Sequence, residues 1–274
     1  KISWYVTALR MNNSLRTHES LMNRAMIRLS TGKRINSAAD NPAGLCISQG
    51  MESQIRGMNV AKRNAQDTIS MLQTADGALS SVHSMLQRLN ELAVQNANGS
   101  YTDEDRKNSN IEFRELIKGI DDICSQSQFN TQNLFDSDSN IYVQIGANEG
   151  QYMEITKNKI NSNVLGLDSL DISTREGASE AITVVKNAIS KVSSQRSLIG
   201  AKENRLEYTI DYLDNSVLNL TEAQSRITDA DIAEEMMNYA KESLLMQVSN
   251  QLLSSYLKQQ ESMVQMLLSF NKLH

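Results

Sequence analysis

Three histidines, two cysteines and a pair of aspartates are the residues here that could do chemistry, and their spacing argues against it. His18, His83 and His274 stand far apart, with no carboxylate or cysteine at metal-ligand spacing, and each reads as a surface residue. Cys46 and Cys124 follow no metal or redox spacing. A disulfide between them stays open, but two buried thiols packing as small apolar side chains is the preferred reading. Asp229 and Asp231 could be imagined as paired acids. Carboxylates at i and i+2 on a helix face apart, however, and capping accounts for them better. There is no phosphate-binding glycine loop, no dinucleotide fingerprint and no nucleophile elbow. Neither enzyme, cofactor nor metal is expected.

The elements that would carry these residues are helices. Proline occurs once, as Pro42, so long uninterrupted helices are permitted almost everywhere. Apolar residues make up 40 %, enough to bury a face but thin for a thick globular core. Aromatics at 5 % suit slender bundles whose seams are filled by aliphatic side chains. The formal charge of −5 comes without basic blocks, which disfavours nucleic acid. No apolar run approaches the roughly 20 residues that span a bilayer. The first residues also lack the basic-then-apolar layout of a cleaved signal, so composition alone points to the cytoplasm.

Residues 1–31 read as a helix that Gly32 ends in a left-handed cap. Asp40-Asn41-Pro42 is a strong helix start. The helix that follows carries Ile55, Met58, Ala65, Ile69, Leu72, Leu79, Val82, Leu86, Leu89 and Ala93 in one stripe and should run to about Asn98. Asn98-Gly99-Ser100 breaks it, and Thr102 with Asp105 forms a capping pair for a shorter helix with Ile111, Leu116, Ile120 and Ile123 inward. The one strand signal is Ile141, Val143 and Ile145, a turn over Gly146–Gly150, and Met153 with Ile155 on the return. A third strand can be drawn over Leu165–Ile172. Helix resumes near Glu176, with Leu206, Ile210, Leu213, Val217 and Leu220 as a heptad seam. Thr228–Asp231 marks a cap or bend before a last helix holding Met237, Leu244, Val248, Leu252 and Met263.

The expected fold is mainly α: a long antiparallel helical coiled-coil or bundle rod with a small β-hairpin at about 141–155. Arg88 and Glu112 lie about a dozen residues either side of the Gly99-Ser100 turn, so an antiparallel pair sets them at one height. Arg88, Leu92 and Glu112 are then expected in one surface cluster, with Gln87, Glu91 and Gln95 nearby. An intramolecular ion pair is the plain reading of it.

Several longer motifs resemble those of bacterial flagellins. Arg28-Leu29-Ser30-Thr31-Gly32-Lys33-Arg34-Ile35-Asn36-Ser37-Ala38, followed by Asp40-Asn41-Pro42-Ala43-Gly44, is similar to the family's N-terminal signature. So are Asn64-Ala65-Gln66-Asp67, Gln73–Leu79 and Gln87-Arg88-Leu89-Asn90-Glu91-Leu92-Ala93-Val94-Gln95. Gln128-Phe129-Asn130 and Gln144–Asn148 resemble the family's hairpin region, and Asn204–Glu207 with Ser225–Asp231 its C-terminal half. The stretch Val164–Gly177 is too short for the family's variable outer domains, which makes this a minimal form.

The resemblance implies a job. Residues 1–43 and 234–274 would pair as a coiled coil lining a filament's channel, with Leu9, Leu21, Leu29, Leu244, Val248, Leu252 and Met263 as its assembly seam. Residues 44–175 and 176–233 would build the surrounding tube. The implied partners are further copies of the chain, an export chaperone on the C-terminal helix, hook-associated and cap proteins, and the vertebrate Toll-like receptor for flagellin. That receptor and neighbouring subunits would meet Gln87, Arg88, Glu91, Leu92, Gln95 and Glu112. Passage through the flagellum's own export apparatus would place the protein outside the cell despite the lack of a cleaved signal. The free monomer is expected to have disordered ends.

This chain departs from the family pattern at Ile2-Ser3-Trp4-Tyr5, where Ile-Asn-x-Asn is common, and at Lys33, where an apolar residue is common. It also lacks a proline near Lys258–Glu261 and continues through Ser269–His274. A hook-filament junction protein and a cytoplasmic coiled-coil adaptor using the Leu206–Leu220 seam are the alternatives.

Overall fold

A computed structural model describes the backbone of residues 2–271 and the side-chain surroundings of residues 6–266. His274 lies outside the described residues. Among the described residues six helices and four short strands follow one another: α1 (Ile2–Thr31), α2 (Pro42–Asn96), α3 (Asp103–Gln126), β1 (Gln128–Phe129), β2 (Gln132–Asn133), β3 (Ser139–Gln144), β4 (Tyr152–Lys157), α4 (Ser162–Leu165), α5 (Arg175–Thr228) and α6 (Ile232–Asn271). They divide into two compact units, one of residues up to 53 with those from 219 onward, the other of residues 54–218.

In the first unit α1 runs antiparallel to α6. The inward face of α1 is Met11, Leu15, His18, Met22, Ala25 and Leu29, stepping by four and three as a coiled-coil seam requires. The facing positions of α6 are more polar: Glu235, Asn238, Glu242, Leu245, Ser249, Leu253 and Tyr256. Two polar pairs cross between them. His18 Nδ1 lies 2.6 Å from Glu242 Oε2, and Arg28 Nη1 donates to Glu235 Oε1 at 2.8 Å.

Gly32 has φ +68°, the left-handed conformation a side chain resists, and its N–H closes the end of α1 on Arg28 O. The segment after it is tied to the end of α5, where Arg34 N–H donates to Thr228 O at 2.6 Å. Asp40 caps the turn before α2 by accepting from Ser37 Oγ and from the N–H groups of Asn36 and Ser37, which holds its carboxyl below the usual range. Asn41 Oδ1 then accepts from Gly44 N–H and Pro42 fills the first turn, as the sequence indicates. Asp231 Oδ1 does the same for α6, accepting from Ala233 and Glu234.

The second unit packs three long helical segments and a hairpin around one core. Leu79, Val82, Leu86, Leu89 and Ala93 of α2, Phe113, Ile117, Ile120 and Cys124 of α3, and Ala181, Val185, Ala188, Val192 and Leu206 of α5 are all buried. Within this unit α2 and α5 are antiparallel and stitched by Arg196 to Asp76 at 2.8 and 3.1 Å and by Lys62 to Asp214 at 2.7 Å. The β3–β4 ladder, with Ile141 opposite Ile155 and Val143 opposite Met153, turns its alternate residues onto that core. Its turn seats Ala147 on α2, where a Cβ built on Gly57 would come within 2.8 Å of Ala147 Cβ.

Four expectations are corrected. Ile111 is exposed; the inward face of α3 is Phe113, Ile117, Ile120 and Cys124, with Leu116 and Ile123 half-buried beside it. No strand forms over Leu165–Ile172. Asn161 Oδ1 caps α4 and Gly166 ends it at φ +79°; Leu165 enters the core from the last position of α4, and Leu167, Leu170 and Ile172 follow from irregular backbone. A second small hairpin, β1–β2, turns through Asn130 and Thr131, both at positive φ, where no apolar alternation announces a strand. Cys46 is exposed because α2 turns Gly44 and Ser48 inward there instead; Cys124 is buried and both thiols are free.

Candidate functional site

The surface around Arg88 is built by the turn between α2 and α3. α2 stops at Asn96, two residues earlier than the sequence suggests, because Arg106 reaches back from the first turns of α3. Buried to 7 % exposure, its guanidinium donates to Asn96 O and Asn98 O, each at 3.0 Å, and to Asp103 at 2.9 Å. Asn96, itself buried, donates to Ile172 O at 3.2 Å. The Thr102–Asp105 capping box holds the start of α3: Thr102 Oγ1 accepts from Asp105 N–H, and the Asp105 carboxylate accepts from Thr102 N–H at 3.1 Å. The two helices are thereby fixed in register.

That register brings Arg88 and Glu112 together. Arg88 Nε donates to Glu112 Oε1 at 2.8 Å and its Nη1 to Glu91 Oε2 at 3.1 Å. The hydrogen bond to Glu112, then that to Glu91, raises the guanidinium pKa. Both arms stay about half exposed, so water screens the pair and it adds little to stability. Gln87 Nε2 sits 3.1 Å from His83 Nε2, and Gln95 Nε2 donates to Tyr101 OH at 2.9 Å. Gln87, Arg88, Glu91, Gln95 and Glu112 thus share one exposed face. Leu92 does not: at 2 % exposure it lies beneath them in the core, three residues from Leu89 on the helix's inner stripe.

The histidines also differ from expectation. His83 is half-buried with Nδ1 out of contact with any polar partner, and His18 is half-buried in the α1–α6 seam, so neither is a plain surface residue. Among the described residues no three His, Cys, Asp or Glu side chains converge as metal ligands. No helix among them is long and apolar enough to cross a membrane. Of the residues named for the assembly seam, Leu29 is half-buried against α6; Leu9, Leu21, Leu244, Val248, Leu252 and Met263 are exposed and face away from the helix pair's own interface.

Two family descriptions match the chain. The bacterial flagellin N-terminal helical region matches residues 2–140, and the C-terminal helical region matches residues 182–270. The chain belongs to the bacterial flagellins. Only residues 141–181 separate the two matched regions, so this flagellin has no variable outer domain. It is 43 % identical to the flagellin of Halalkalibacterium halodurans, over 89 % of this chain and 91 % of that one. To the flagellin of Bacillus subtilis it is 36 % identical, over 97 % and 99 %. The crystal structure of Bacillus cereus flagellin is similar with a TM-score of 0.50 at 29 % identity, covering 55 % of this chain and 88 % of that one. Flagellins are structural proteins of the extracellular flagellar filament, and family membership replaces the cytoplasmic placement that composition alone suggested.

Proposed function

We propose that this flagellin polymerises into the filament through the outward faces of α1 and α6. Residues 1–43 and 234–274 line the central channel, and residues 44–175 with 176–233 form the tube around it. The observation that carries this reading is the set of large apolar side chains left in water on both helices, Leu9, Leu21, Met26 and Ile27 on α1 and Met237, Leu244, Val248 and Leu252 on α6. Exposed apolar surface on this scale is costly unless a partner covers it. Neighbouring copies supply that cover. Negative-stain microscopy of the purified chain with a short filament seed tests it: long tubes are expected, and a discrete soluble oligomer that never elongates overturns it.

The same family reading gives α6 to an export chaperone before assembly, the flagellum's own apparatus as the export route, and hook-associated and cap proteins as neighbours at the filament ends. It also makes the Arg88 face a contact for adjoining subunits and for the vertebrate Toll-like receptor for flagellin. The convergence of Arg88, Glu91 and Glu112, flanked by Gln87 and Gln95, supports that assignment, with Leu92 positioning the helix from below. Arg88→Ala is expected to weaken both filament packing and binding to a purified receptor ectodomain. Undiminished affinity in a surface binding assay removes the receptor role.

A further inference from the structure

The turn between α2 and α3 holds the sequence's single Asn-Gly pair, Asn98-Gly99, and its surroundings set it apart from other asparagines that precede a small residue. Asn98 and Gly99 are exposed. Asn98 Oδ1 accepts from Ser100 N–H at 3.3 Å, which lays the side chain over the intervening Gly99 peptide. No hydrogen bond among the described residues holds the Gly99 N–H. A Cβ at Gly99 would meet nothing within 4 Å, so no neighbouring atom fills the space around it. Asn36-Ser37 is the contrast. There Asn36 Nδ2 donates to Lys33 O at 2.8 Å, and Ser37 N–H is occupied by Asp40 Oδ2 at 3.0 Å.

We propose that Asn98-Gly99 is a site of spontaneous modification, where the side-chain amide is lost through a cyclic imide and the turn ages into aspartate and isoaspartate. Hydroxide removes the Gly99 N–H proton, and the nitrogen attacks Asn98 Cγ. The new N–Cγ bond forms as the Cγ–Nδ2 bond breaks, and ammonia leaves with a proton taken back from water. Ser100 N–H, already on Oδ1, steadies the negative charge that gathers on that oxygen during attack. Water then opens the ring on one of two sides. Cleavage of the N–Cγ bond leaves ordinary aspartate; cleavage of the bond from Gly99 N to the Asn98 backbone carbonyl carbon leaves isoaspartate, with the main chain running through Cγ. The net change is water in and ammonia out, with no oxidant and no enzyme.

The consequence is local. Arg106 holds Asn98 O at 3.0 Å, and isoaspartate lengthens the chain by one carbon at that carbonyl while adding a negative charge. The first turn of α3 loses one of its ties to the end of α2. The Gln95–Tyr101 hydrogen bond spans the same turn, so any effect on recognition rests on the reading of the Arg88 face given above.

The test is to hold the full chain for weeks in mildly alkaline buffer and follow amide loss by peptide mass spectrometry, with an isoaspartyl methyltransferase assay for the rearranged product. Asn98 is expected to lose its amide at least about tenfold faster than Asn36, and Gly99→Ala to slow that loss by about the same factor, since only glycine leaves the nucleophile unhindered. Alanine fits at this position, so the variant folds. Amides between residues 98 and 106 are expected to exchange faster in the aged protein. Equal rates at Asn98 and Asn36, or no slowing in Gly99→Ala, overturn the proposal whatever becomes of the polymerisation and receptor readings.

Discussion

Cys46 and Cys124 show how far identical residues are separated by their surroundings. Burial, and then the charge of Asp121, push the Cys124 thiol up from 9.0 to about 11. The folded chain therefore holds that proton more tightly than the unfolded chain does. Its contribution to stability is full below pH 9 and is lost as pH rises through about 11. Denaturant unfolding measured across that window is expected to show falling stability, and Cys124→Ala to flatten the slope whatever it does to the absolute value. A thiol reagent at neutral pH is expected to label Cys46 promptly and Cys124 only after unfolding. Neither environment is visible in spacing: Cys46 and Ser48 are two residues apart, yet only Ser48 faces inward, because the helix phase is set by what packs on it.

Among the elements, α1 and α6 pose the sharpest physical question, because their shared seam is short of apolar side chains on the α6 side. The buried carboxylates of Glu235 and Glu242 are matched by Arg28 and His18, and a slide of one heptad would set Glu242 opposite Met11 or Ala25 instead. Such pairs add little net stability but penalise every wrong register. Glu242→Ala, which leaves His18 Nδ1 without its partner, is expected to cost about 1–3 kcal/mol in denaturant titration of the polymerised chain, where α1 and α6 are held together. In the polymerised chain, where the native pair gives one sharp distance, replacing all four residues by leucine is expected to keep the helices paired but broaden a spin-label distance between α1 and α6 into several populations. A single sharp distance in that variant would refute the register role. The hairpin depends on its own fit to α2. Gly57→Ala is expected to displace the Ala147 turn and speed amide exchange in β3 and β4, while the Phe113 layer of the core stays protected.

At the scale of the molecule, the exposed stripe of α6 is where stability and assembly part company. Leu244→Asp with Val248→Asp removes apolar surface that the lone chain leaves in water. It is expected to abolish elongation from a seed while leaving the melting of the α2–α3–α5 core unchanged. Dilute monomer is likewise expected to exchange the amides of α1 and α6 rapidly and to protect them once polymerised, since a single narrow seam gives marginal helices little support.

Helix positions, caps and the β3–β4 hairpin were legible in the residues themselves, because Gly32, Asn41-Pro42, Thr102–Asp105, Asp231 and the Ile141–Ile155 alternation act through neighbours a few positions away. The meeting of Arg88 and Glu112 was legible too, as it follows from two helices and one turn. Tertiary structure alone decided that Arg106 would be buried as the turn's anchor, that Leu92 would lie under the Arg88 face, that His18 would join a helix seam, and that Leu165–Ile172 would reach the core without a strand. Those outcomes depend on which distant surfaces close over a residue, and local periodicity carries no information about distant surfaces.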